Sequence, residues 1–118
     1  MSDPADRYAP ENLERFFVQL LKRGPNYTSE MTPELEAQQQ AHLDHLWQLH
    51  EQGKLVVMGP VLDDGDIRGF SIYRAESVEE VLELSSGDPG VQSGRFVLEV
   101  HPWMTHKGIL PPPTGPSH

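Results

Sequence analysis

A chain of 118 residues is the size of one ordinary domain, and 36% apolar with 23% charged residues suits a globular protein with a single core. Eighteen acidic against nine basic residues give a formal net charge of −9, a surface that repels phosphate backbones and excludes nucleic acid as an expected partner. No apolar run approaches the roughly 20 residues of a membrane span, and the absence of cysteine excludes disulfides, thiolate zinc sites and a cysteine nucleophile.

Residues 1–13 read as a flexible arm, polar and acidic, with Pro4 and Pro10 and no signal-peptide core, so cytoplasm is the expected location. The run from Arg15 to Lys22 predicts a strand stopped by Gly24-Pro25. Thr32-Pro33 starts a helix: the hydroxyl caps it, and proline loses nothing at a position whose N–H has no intrahelical partner. Glu34 and Glu36 favour the positive end of the dipole, and Gly53 supplies a stop after about Gln52.

"KLVVMGPVL" and "IRGFSIYRA" are two β-rich runs joined by "DDGD", the pattern of an antiparallel hairpin. Ser77 and Glu80 form a capping-box pattern ahead of Val78, Val81 and Leu82, which repeat at helical spacing until Gly87-Asp88-Pro89-Gly90 breaks them. "GRFVLEV" is the last strand, and residues 107–118 form a Pro-rich tail expected to stay extended or disordered. The folded domain is expected over 14–106. Its order, β-α-β-β-α-β, predicts an α+β ferredoxin-like sandwich with helices on one face of an antiparallel sheet.

Alternation along the strands assigns sheet faces. Phe16, Val18 and Leu20 form one face of the first strand, and Phe17, Gln19 and Leu21 the other. Residues 55–58 are apolar on both. The second face is too apolar for full hydration, yet it is expected to carry Gln19, Ser71, Tyr73 and Glu99. A half-polar face of this kind suits a pocket or the pairing surface of a homodimer.

The long helix carries three histidines within nine residues, His42, His45 and His50. At about 100° per residue, His42 falls within the stripe of Leu35, Leu46 and Leu49, and the other two fall to either side. The three do not converge and no H-E-x-x-H pattern exists, so no metal site is expected. His45 and His50 read as solvated helix surface. His42 faces inward, either as a core histidine bonded to backbone or as a base held by a carboxylate. Asp63, Asp64, Asp66, Asp88 and Glu99 are the available carboxylates, and spacing does not choose among them.

The segments "AHLDHLWQLHEQGKLVVMGPV" and "DPGVQSGRFVLEVHPW" resemble the YciI-like (YCII-related domain) family over about residues 14–105, with "LLKRGPNYT" similar to its longer subgroup. The resemblance implies a ferredoxin-like subunit pairing through its sheet into a dimeric α/β barrel. It further implies a cofactor-independent active site on a His-Asp pair, His42 in A-H-L and Asp88 in D-P, with Gly59 and Pro60 near the pocket. Many members have an aromatic residue after D-P where this chain has Gly90, which opens a pocket wall. Arg95 is a candidate for attracting an anionic substrate, or else a surface arginine at a strand start. Tyr73 and Trp103 are aromatic candidates for lining an apolar cavity, with Trp103 more simply an end-of-strand packing anchor.

The implied function is a lyase (dehydrochlorinase-like) or isomerase in which the His-Asp pair acts on a small cyclic or aromatic molecule without metal or organic cofactor. A non-catalytic small-metabolite-binding dimer and an oxygenase-type barrel relative are the alternatives.

Overall fold

A computed structural model describes residues 8–113. The first seven residues of the expected arm and the last five of the tail lie outside the described residues. A 3-10 turn, Pro10–Asn12, leads into β1 (Leu13–Arg23). There follow α1 (Pro33–Glu51), β2 (Leu55–Pro60), β3 (Ile67–Tyr73), α2 (Val78–Ser85), a short α3 (Pro89–Gln92) and β4 (Phe96–His106). All pairings are antiparallel and the sheet order is β2-β3-β1-β4. The architecture is α+β with a four-stranded antiparallel sheet, compatible with a ferredoxin-like fold. Among the described residues, no helix is long and apolar enough to cross a membrane.

The helix boundaries follow their local chemistry. Thr32 Oγ1 accepts from the Leu35 N–H at 3.2 Å, and Gly53 closes α1 with φ 79°. Ser77 Oγ accepts from the Glu80 N–H at 3.1 Å at the start of α2. β1 stops at Gly24 because the chain there runs against the approach to β4: Gly24 N–H donates to Arg95 O at 2.8 Å, and a Cβ at position 24 would stand 2.2 Å from Gly94 O. β4 runs well beyond the expected Val100, through Pro102 to His106. It is an edge strand, where proline removes no ladder bond that another strand needs.

Helices and strands bury Phe17, Leu49, Leu55, Tyr73 and Val81 in the main core. The opposite face carries a smaller cluster, Phe16, Val56 and Ile72 with Val18 and Leu110 packed against it. Two valines reach this face because β2 shifts register between Leu55 and Val57. The expected grouping of Gln19, Ser71, Tyr73 and Glu99 is corrected. Gln19 pairs with Ser71 in the register, on the same side as Tyr73, whereas Glu99 pairs with Leu20 on the open face. A one-residue offset in β4 exchanges faces, and because Gln19, Ser71 and Tyr73 are buried beneath the helices, the half-polar face is the pocket side and not the pairing surface expected of it.

The open face is the apolar one, with Val57, Phe70, Val97 and Trp103 all more than a third exposed. Trp103 packs on Phe16 at 6.4 Å between ring centroids and not over a cavity. After β4, Leu110 rests on the Phe16 cluster and Arg74 donates to the Pro111 carbonyl at 3.1 Å.

Leu55 is 1% exposed in the main core. Leu55→Ala should lower unfolding free energy by about 2–5 kcal/mol, read as a shift of the urea midpoint at constant m-value.

Candidate active site

Asp88 stands where α2 has ended and α3 begins, and the sequence forces its conformation. A residue before proline avoids helical angles, and Asp88 is extended at φ −76° and ψ 121°. Its Oδ1 caps α3 by accepting from the Gly90 N–H at 2.8 Å. Its second oxygen, Oδ2, lies 2.6 Å from Nδ1 of His42 across the interface with α1. Both side chains are almost fully buried, 5% exposed for His42 and 2% for Asp88. A carboxylate only accepts, so this contact places an imidazole proton on Nδ1, and in the neutral ring Nε2 is then the acceptor.

Phe96 packs on the imidazole at 5.4 Å between ring centroids. It can do so because position 90 is glycine: a Cβ there would lie 2.8 Å from the Phe96 ring. The expected gap beside D-P is therefore filled by an aromatic ring from β4.

His42 lies on the wall of a cavity of about 670 Å³ between α1 and the helix-covered side of β1, β2 and β3, a size suited to a small organic molecule. Leu43 and Trp47 of α1, Met58 of β2 and Phe96 make its apolar wall, and Gln19, Ser71 and Arg68 add polar groups. Gly59 and Pro60 lie on the same wall, and a Cβ at Gly59 would project into open space.

The model of the YCII-related domain matches residues 16–104. The chain belongs to the YCII-related domain family. Among solved structures it is similar to 5-chloro-2-hydroxyhydroquinone dehydrochlorinase from Burkholderia phenoliruptrix AC1100, solved in complex with 2,5-dihydroxybenzoquinone. The identity is 28% over 75% of this chain and 92% of that one, with a TM-score of 0.52. No curated protein matches the chain significantly.

Two expected pocket residues of this YCII-related protein lie off the cavity wall. Tyr73 is fully buried in the core. Its hydroxyl lies 3.4 Å from both Gln19 Nε2 and Ser85 Oγ, and the Ser85 hydroxyl donates to Gln19 Oε1 at 2.8 Å. Burial pushes the Tyr73 phenol above its usual range, against the opposing pull of its hydrogen bonds with Ser85 and Gln19. Arg95 is buried too, which corrects both of its expected readings. Nη1 donates to Thr28 O at 3.0 Å, and the guanidinium sits over Tyr27 and Phe96, 5.0 and 5.3 Å from the ring centroids. It holds Phe96 in place and through it the imidazole of His42.

His45 and His50 are half-buried, not solvated. His45 Nε2 meets Leu84 O at 3.0 Å, and His50 Nδ1 meets Leu55 O at 2.7 Å, tying α1 to α2 and β2. Among the described residues no group of three or more His, Cys, Asp or Glu side chains is placed to hold a metal ion. Sequence reasoning passed over Arg68, whose only sequence signal is its place just after the Asp/Gly turn.

In a spectrophotometric alkaline titration, Tyr73 should ionise above the ordinary tyrosine value of ~10. The unfolded chain gives up this proton near pH ~10 while the native protein keeps it, so unfolding releases a proton above that pH. The contribution of Tyr73 to stability is therefore complete below pH ~10 and should fall as pH rises further, an effect that Tyr73→Phe removes.

Proposed function

We propose that this protein is a cofactor-independent enzyme, a lyase of the dehydrochlorinase type or an isomerase, acting on a small cyclic or aromatic substrate with His42 as general base. The single observation that carries this reading is the 2.6 Å contact between buried Asp88 and His42 at a cavity wall. Asp88 fixes the tautomer and orientation of the ring, and Nε2 takes an acidic O–H proton from a phenol or enol in the cavity. The aromatic and aliphatic walls suit a flat ring. The similar dehydrochlorinase supports the reaction class.

For a chlorinated hydroxyhydroquinone the chemistry balances without an oxidant. One phenolic proton passes to the base, and the electron pair moves into the ring, which accepts a proton at the carbon bearing chlorine. Release of a second phenolic proton then expels chloride, so the hydroquinone becomes a quinone with net loss of HCl.

Absorbance assays with 5-chloro-2-hydroxyhydroquinone and other small phenols test the reading. His42→Ala should reduce kcat by about 10²–10⁴-fold, the usual contribution of a general base. Asp88→Asn keeps a side-chain oxygen for the α3 cap, so it should fold and still lose most of the rate. Turnover that survives His42→Ala would remove His42 as the base. Tight binding of these phenols without conversion would instead make the pocket a carrier of small metabolites.

The reading includes a homodimer formed through the open sheet face, the arrangement that closes two such sheets into an α/β barrel. The exposed Val57, Phe70, Val97 and Trp103 support it, since an apolar surface of that extent favours burial. Light scattering at micromolar concentration should give twice the 13.3 kDa chain mass, and Val97→Glu should shift the protein toward monomer. A monomeric mass for the unaltered protein would rule the dimer out.

A further inference from the structure

We infer that Arg68 is the oxyanion-binding residue of the cavity and that it binds a phenolate or enolate oxygen of a planar organic substrate. The inference rests on the cavity that the proposed function uses, but not on His42 being the base.

Three observations converge on Arg68. First, a bulge aims it. Leu21 pairs with Gly69 but Lys22 pairs with Ile67, so Arg68 is the extra residue of β3. Bulges redirect side chains, and here Arg68 joins Gly69 on the cavity wall while Ile67 turns to the opposite face beside Leu20 and Lys22. Second, among the described residues it is the one arginine or lysine on that wall. The chain carries a net charge of −9, and Asp44 also borders the cavity, so an anion entering it needs a dedicated cation.

Third, the guanidinium is incompletely used. Nη2 donates to the Asp63 backbone carbonyl and lies 3.4 Å from its carboxylate, whose side chain is 74% exposed. Nε is buried with no hydrogen-bond partner. Asp63 thus engages only one nitrogen of a guanidinium that carries five N–H donors, which leaves the group capacity for a further acceptor. Arg95 has a buried unpaired Nε too, but it lies off the cavity wall, with its guanidinium over Tyr27 and Phe96.

The test compares 4-nitrophenolate with its neutral counterpart nitrobenzene, using calorimetry on the full-length chain. The unaltered protein should prefer the phenolate, and its affinity should rise as the probe is titrated from phenol to phenolate while that for nitrobenzene stays flat. Arg68→Gln should weaken phenolate binding by about ten- to a hundredfold, the value of a hydrogen bond to a charged group, and leave nitrobenzene binding unchanged. Arg68→Lys should restore part of the preference. His42→Ala should keep it, so the failure of His42 as base and the failure of Arg68 as anion site give different patterns. Equal weakening of both probes by Arg68→Gln, no weakening of either, no rise in affinity on ionisation, or no phenolate binding at millimolar concentration would each overturn the inference.

Discussion

Asp88 divides its two oxygens between two tasks, and much of the molecule is arranged around that division. Oδ1 satisfies the first turn of α3, and Oδ2 holds His42 on a helix 46 residues earlier in the chain. The contact is buried on both sides, so neither group can turn to water if the other moves. Leaving such a polar group unpaired costs about 1–3 kcal/mol. That penalty locks the packing of α1 against the α3 turn, and it fixes the orientation of the imidazole.

The surroundings support the pair in layers. Phe96 covers the imidazole, and Arg95 covers Phe96 while Thr28 O and the Tyr27 ring hold Arg95. Glycine at position 90 lets the Phe96 ring come close. A larger residue there would push the ring toward His42 or out of its place. The aromatic wall beside the pair is therefore supplied by strand β4. On the other side of the cavity, the Gln19–Ser85–Tyr73 cluster joins β1, α2 and β3 by hydrogen bonds beneath the floor. Each polar member of this cluster finds a partner, as burial demands.

The two faces of the sheet meet different demands. The helix-covered face combines a tight core at one end with the cavity at the other, and glycine at 69 leaves room for the Leu21 side chain across the ladder. The open face is more apolar than a solvated surface needs to be, and the chain itself covers part of it when Leu110 folds onto Phe16, Val56 and Ile72. Lys22 and Glu99, 3.6 Å apart, share this face, with Glu99 between Val97 and Trp103 along β4.

The sequence by itself determined the local architecture. Thr32-Pro33 and Ser77 start helices, Gly53 ends one, and Asp88-Pro89 sets an extended cap, because each depends on atoms within a few residues of chain. Helical periodicity was enough to turn His42 inward, and strand alternation was enough to separate Phe16 from Phe17. The family pattern singled out Asp88 among five carboxylates, which spacing could not do. Tertiary structure alone decided what touches what. Only packing shows that Tyr73 and Arg95 lie behind the cavity wall, that His45 and His50 bind backbone carbonyls, and that Glu99 faces away from Gln19. Only the bulge in β3 shows that Arg68 faces the cavity. The reason is one of range. Propensity and capping act over a turn of chain, whereas pair contacts and strand registers join residues tens of positions apart, and one extra residue in a strand reverses every face that follows.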